Sequence, residues 1–167
     1  MKQAATTPRK VHRLQERKGV QMATESMADP VLGDEGRVLG TGDPVWASFK
    51  TEFGPTKTRI SVLASVVNGS VPQAQRDLYR EIEEWYPRGV QQVYQAVLSK
   101  VKEDPAATEL TSLEEIRNRF QLIGVDIRIP FPRPGRCFLR YRFDRNAPDW
   151  IVIIDEDYHV EWCGPLD

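Results

Sequence analysis

The chain has 167 residues, 40% hydrophobic and 28% charged, with 23 basic against 24 acidic side chains and a formal net charge of −1. That length fits one domain with a true core, and the charge excludes general nucleic-acid binding, which needs a concentrated basic surface to neutralise phosphates. No apolar run approaches the ~20 residues of a membrane-spanning helix, and two cysteines without CxxC spacing, Cys137 and Cys163, are too few for a disulfide framework. They read as reduced, near-core thiols of a cytoplasmic protein, with a cross-strand disulfide as the alternative.

Residues 1–27 carry Lys2, Arg9, Lys10, Arg13, Arg17 and Lys18 against Glu16 and Glu25, a local net of +4 that leaves −5 on residues 28–167. The stretch has no apolar h-region and too little apolar content to pack, so it reads as a disordered basic tail rather than a secretory signal. Two readings of it stand: a basic arm for nucleic acid or an anionic surface, and a dispensable tail with Met22 and Met27 as alternative start codons. Residues 28–167 read as a single α+β domain.

Within that domain, a short strand near Arg37–Leu39 is weakly signalled. Residues 45–52 (VWASFKTE) and 58–67 (TRISVLASVV) alternate as strands around the turn FGPT at 53–56, a hairpin. Ile60, Val62, Ala64 and Val66 fall on one face of the second strand, Leu63 and Val67 on the other. The period then lengthens. Ser70 and Gln73 have capping-box spacing, Pro72 suits a first turn, and Ala74, Leu78, Ile82 and Trp85 recur at helical spacing. Pro87 and Gly89 are expected to break that helix. Val90, Val93, Tyr94, Val97, Leu98 and Val101 mark a second, and Ser112 with Glu115 begins a third whose apolar face is Leu113, Ile116 and Phe120.

Period two returns with Val125, Ile127 and Ile129, then Cys137, Leu139, Tyr141 and Phe143, separated by the proline-rich loop PFPRPG at 130–135. Trp150–Ile154 is a nearly continuous apolar strand, and Tyr158, Val160 and Trp162 alternate through the last. The order β-β-α-α-α-β-β-β-β predicts an α+β fold, an antiparallel sheet of about six strands with helices packed on one face.

Candidate ligands crowd the end of the chain: Asp155, Glu156, Asp157, His159, Glu161 and Cys163. The calcium-loop pattern fails, because Val160 stands where glycine is needed and Leu166 where glutamate is needed. Asp155–Asp157 is placed as a turn between strands. His159, Glu161 and Cys163 would share one strand face about 6–7 Å apart in succession, and zinc would still need convergent geometry and a fourth ligand. The expectation is a hairpin with a polar outer face, without metal or cofactor.

Phosphate-binding glycine loops and a nucleophile elbow are absent from the sequence. His159 is the only histidine within residues 28–167 and is poorly spaced to activate Cys163. Arg128, Arg133, Arg136, Arg140, Arg142 and Arg145 form the most unusual cluster. Arg140 and Arg142 share a strand face opposite Leu139, Tyr141 and Phe143, which Arg128 joins from a neighbouring strand. Cross-strand pairing with Asp126 and Glu161 is one reading; a recognition surface of guanidinium and aromatic area, with Phe138, is the other.

The closing pattern reads FD at 143–144, DWIVII at 149–154, DED at 155–157 and CGPLD at 163–167. It resembles a family of small bacterial α+β proteins, some of them similar to toxin-immunity proteins. Members often carry His-Gly before the apolar strand, where this chain has Pro148-Asp149. The resemblance implies the fold and an immunity or other protein-binding role.

The expectation is therefore a non-enzymatic, cytoplasmic, protein-binding domain with no membrane or nucleic-acid partner. Its contact residues would be Arg128, Arg140, Arg142, Asp155, Asp157, His159 and Glu161. The alternative is a small metal-dependent or hydrolytic enzyme using His159, Glu161 and Cys163.

Overall fold

The computed structural model describes residues 25–40, 45–104, 109–128 and 137–166. They run β1 (Ser26–Asp29), β2 (Gly33–Leu39), β3 (Val45–Phe53), β4 (Thr58–Val66), α1 (Gln73–Glu103), α2 (Leu113–Arg119), β5 (Gln121–Asp126), β6 (Cys137–Arg142), β7 (Trp150–Ile154) and β8 (Val160–Pro165). The expected tail lies outside the described residues up to position 24, and β1 takes in Ser26 and Met27.

All eight strands form one sheet in chain order. Six adjacent pairs are antiparallel and one, β4 with β5, is parallel. A parallel pair cannot be closed by a tight turn; it needs a crossover of a dozen or more residues. The segment carrying α1 and α2 is that crossover. The expected antiparallel sheet of about six strands is thus corrected to a mixed, mostly antiparallel sheet of eight, made of two four-strand meanders joined at one seam.

The additional strands are β1 and β2, which the sequence signals poorly because SMAD and GDEGRVL lack alternation and β-branched content. Tertiary contacts hold them. Asp29 accepts the Val31 and Leu32 N–H groups at 2.9 and 3.0 Å, which builds the turn. Its second oxygen meets Arg76 of α1 at 2.9 Å, with the Asp29 side chain 1% exposed. Leu32 is wholly buried beneath.

The two long helices expected on either side of Pro87 are one helix of 31 residues. Pro87 lies on the exposed side of the helix, where the loss of one helical hydrogen bond costs least. Gly89 serves packing rather than a break. A methyl there would lie 1.9 Å from Cε2 of Trp85, whose ring covers the position one turn on and stacks on Tyr158 at 5.8 Å.

The N-terminus of α1 also differs from expectation. Pro72 is the N-cap and makes no side-chain cap, while Ser70 pairs instead with Val67. Ala74 is exposed and Gln75 buried, because its Oε1 accepts the Ser65 N–H at 2.8 Å. The capping box at Ser112 and Glu115 forms as expected.

The buried residues of α1, among them Leu78, Ile82, Tyr86, Val93, Val97 and Val101, repeat every three or four positions and face one side of the sheet. A transverse row of that side reads Phe49, Val62, Val125, Leu139, Val152 and Cys163. Aromatic edges lock helix to sheet. Phe53 meets Tyr79 and Tyr86 at 6.3 and 5.1 Å, Phe120 stacks on Tyr141 at 4.7 Å, and the Tyr141 hydroxyl donates to that of Tyr86 at 3.2 Å. Burial pushes the Tyr79, Tyr86 and Tyr141 phenols well above their ordinary value of 10.0.

Two tests follow from this core. Gly89→Ala is expected to displace the Trp85 ring, shift tryptophan emission and destabilise the fold by about 1–3 kcal/mol in urea unfolding, as overpacking does. The raised phenol pKa values keep the folded state protonated while the unfolded chain ionises near 10. The contribution of the phenols is therefore whole below about pH 10 and is lost as pH rises above it, while the buried Cys163 thiol, raised from 9.0 to about 11, begins the loss near pH 9. The urea midpoint should hold between about pH 7 and pH 8 and fall by about pH 11, less steeply in Tyr141→Phe.

Candidate functional site

Both helices lie against one side of the sheet, so the chemistry available to a partner is on the other. Strand register puts Ser48, Leu63, Asp126, Phe138, Ile153 and Trp162 in one row across that face. The next row is Lys50, Ser61, Gly124, Arg140, Ile151 and Gly164.

Where the second row crosses the β4–β5 seam, at Ser61 and Gly124, the side chains are small, and a hollow of about 320 Å³ opens. Its floor is Ser48, Ser61 and Gly124, with the two serine hydroxyls 2.9 Å apart. Leu63, Phe138 and Ile151 wall it. Leu39 at the end of β2 and Leu166 beyond β8 also line it, as opposite corners of a twisted sheet can when they curl towards the same side. A bulge in β5 lies between Leu122 and Gly124; beyond it Gly124 is covered by the Arg140 side chain on the open face while Val125 faces the core.

Arginines meet this hollow in different states. The Arg140 guanidinium lies over Gly124, where a methyl would come within 3.2 Å of Nη2, 3.3 Å of Nε and 3.0 Å of the Ser61 carbonyl oxygen. Arg140 sits 4.0 Å from Asp149. Arg142 takes both oxygens of Asp149 in a fork, at 2.7 and 3.0 Å, and that bond holds its guanidinium protonated still more firmly than usual. Two guanidiniums thus share one carboxylate, and the local charge is positive. Arg128 is anchored: Nε and Nη2 reach Asp126 at 2.9 and 2.6 Å, and the guanidinium lies 4.2 Å over the Trp46 ring. The partners are Asp126, from two residues before Arg128 on the same chain segment, and Asp149, rather than the cross-strand Asp126 and Glu161 pairing read from the sequence. Arg133 and Arg136 lie outside the described residues.

The structure brings Arg128, Arg140 and Arg142 to one face, and it places the acidic turn elsewhere. Asp155 is a turn builder: its Oδ1 accepts the N–H groups of Asp157 and His159 at 2.9 and 2.8 Å. Tyr158, at φ +63°, donates its hydroxyl to Glu81 of α1 at 2.6 Å. That contact ties the turn to the helix side of the sheet. Asp157, His159 and Glu161 are exposed.

His159, Glu161 and Cys163 do not share a strand face. Ile154 pairs Val160 but Ile153 pairs Trp162, so Glu161 is the extra residue of a bulge. The bulge breaks the alternation on which the enzyme alternative rested. Cys163 turns into the core, and burial pushes its thiol up to about 11, while His159 stays outside. Among the described residues no group of three His, Cys, Asp or Glu could hold a metal ion. Cys137 and Cys163 are both buried thiols that form no disulfide. They lie on β6 and β8 with β7 between, about 10 Å across the sheet, too far for a disulfide.

Sequence reasoning missed the exposed apolar rim of the open face. Trp46 is 39% exposed and Trp162 41%, with Leu39 and Leu166 also exposed. Trp162 was expected in the alternation of Tyr158 and Val160; the bulge turns it outward, and its ring folds over Gly164, where a methyl would sit 2.8 Å from it. The signal was the glycine two positions on. Asp149 was missed because nothing in DRNAPD marks which acid would meet Arg142.

Among the described residues no helix is long and apolar enough to cross a membrane. Compared with known proteins, the chain matches no family model, no curated protein and no solved structure.

The geometry around the thiols is testable. A pKa raised to about 11 leaves Cys163 protonated at neutral pH, and Cys137 is buried. Alkylation of the native protein by iodoacetamide near pH 8 is expected to be at least about tenfold slower than in urea, where both thiols are exposed and ionise normally.

Proposed function

We propose that the protein is a non-enzymatic protein-binding domain that docks its partner on the open face of the sheet. The observation that carries the reading is the composition of that face. A positively charged pair, Arg140 and Arg142 over one carboxylate, is set among exposed Trp46, Trp162, Leu39 and Leu166 on a domain whose residues 28–167 carry net −5. Arginine and aromatic residues are the types that dominate interface hot spots. The antiparallel meanders leave a whole face uncovered, which suits a flat partner surface. By charge complementarity, the partner presents carboxylates flanked by apolar side chains. The likeness of the closing segment to immunity-type proteins extends the proposal to a toxin neutralised by being covered. The Asp155–Asp157 turn with His159 and Glu161 would then be a secondary contact at the sheet's end.

The test is capture from host lysate with the full chain, followed by titration of the purified captured protein against the wild type and the Arg140→Glu/Arg142→Glu variant, with folding checked by circular dichroism. Loss of affinity by about thirtyfold or more in the variant is expected, as for removal of desolvated charge contacts at interfaces. Equal affinity of the two proteins would remove the open face from the reading.

A further inference from the structure

We infer that the hollow at the β4–β5 seam is a binding site for a small organic monocarboxylate carrying one aromatic or branched apolar group, with Arg140 holding the carboxylate. This goes beyond the docking of a protein partner and does not depend on it.

The volume, about 320 Å³, lies at the lower end of small-ligand cavities, which run from about 300 to 1,000 Å³. That is room for a single ring or branched chain with its acid group. The walls are largely apolar: Leu63, Phe138 and Ile151 surround the floor, Leu39 and Leu166 close the rim, and the Asp126–Arg128 pair lines one side. A ligand body with no hydrogen-bonding groups is what such walls accept at no desolvation cost.

The polar groups converge at one end. Asp149 gives both oxygens to Arg142 at 2.7 and 3.0 Å, and Arg140 stands 4.0 Å off, so its fork of donors is not consumed by that carboxylate. The fork lies flat over Gly124, a position where a methyl would crowd Nη2 and Nε at 3.2 and 3.3 Å. Beside it, one of Ser48 and Ser61 donates to the other across 2.9 Å, and the accepting hydroxyl keeps its own proton for a ligand oxygen. A planar guanidinium and a hydroxyl match the two oxygens of a carboxylate. The charge also selects. Arg128 is neutralised by Asp126, and Arg140 with Arg142 against Asp149 leaves one positive charge. A monoanion balances that, and a phosphate dianion would leave a negative excess in a largely apolar hollow.

The test uses the full chain, phenylacetate, and its neutral isostere phenylacetamide, followed by amide chemical shifts in nitrogen–proton correlation spectra. Phenylacetate is expected to shift resonances clustered at Ser61, Gly124 and Arg140 and to saturate. Phenylacetamide should bind at least about tenfold more weakly, since one charge-assisted hydrogen bond contributes ~1.5–3 kcal/mol. Arg140→Gln should lose the preference for the acid while keeping a dispersed, folded spectrum. Gly124→Ala, which displaces the guanidinium without changing charge, should weaken the acid more than the amide. Arg145→Gln, removing an exposed charge elsewhere, should bind the acid as the wild type does. Equal binding of acid and amide, retention of the preference in Arg140→Gln, or shifts scattered away from the hollow would each overturn the inference. A negative result leaves the docking reading intact, because the probe involves no protein partner.

Discussion

The single parallel pairing between β4 and β5 is the constraint on which the rest of the architecture depends. Two antiparallel meanders could each have been closed by short turns, but a parallel join between them demands a long crossover. The crossover is α1 with α2, and it can cover only one side of the sheet. Most of the buried residues therefore collect on that side, and the opposite side is left largely to solvent, with Gly124 and Ile153 covered there. The seam itself is narrow, with Ser61, Val62 and Leu63 opposite Gly124, Val125 and Asp126, extended by the Ile127 N–H to the Leu63 carbonyl at 2.9 Å. Small residues on the open side of the seam create the hollow, while Val62 and Val125 on the other side fill the core.

That asymmetry separates two kinds of polar chemistry. On the helix side polar groups are structural. Asp29 with Arg76 and Gln75 with the Ser65 N–H tie the helix to the first meander, and Glu83 accepts the Gly54 N–H at 2.9 Å. Each satisfies a backbone donor or a buried charge that would otherwise be costly. On the open side Arg140 and Arg142 are held in place without being buried, while the Arg128–Asp126 pair is mostly covered. Ion pairs of exposed arginines add little to stability. Their effect is orientation: Asp149 and Asp126 fix Arg142 and Arg128, and Gly124 gives Arg140 a flat seat.

Two bulges set where the surface residues point. The one in β5 aligns Gly124 with Arg140 at the hollow. The one opposite the Ile153–Ile154 step sends Trp162 outward and Cys163 inward. An extra residue in one strand reverses the faces of all that follow, so a bulge reassigns a whole strand end at the cost of one lost pairing. The acidic turn before β8 is drawn to the helix by Tyr158 stacking on Trp85 and by its hydroxyl on Glu81, which keeps carboxylates away from the arginine face.

Much of this was legible in the sequence, for physical reasons that can be named. Period two in TRISVLASVV and CFLRYR, helical spacing through Leu78, Ile82, Val93 and Val97, and the Ser112–Glu115 box are local signals. They determined the element types, the α+β class and the sharing of a face by Arg140 and Arg142. What only the tertiary structure decided depended on partners distant in sequence. The continuity of α1 through Pro87 follows from that residue's exposure, and the burial of Gly89 from the Trp85 ring lying on it. β1 and β2 owe their order to Asp29 reaching Arg76, 47 residues away. The parallel seam and its hollow, Asp149 as the arginines' shared partner and the outward turn of Trp162 rest on register. Register is set by the packing of whole strands against the helix, and hydrophobic period alone does not encode it.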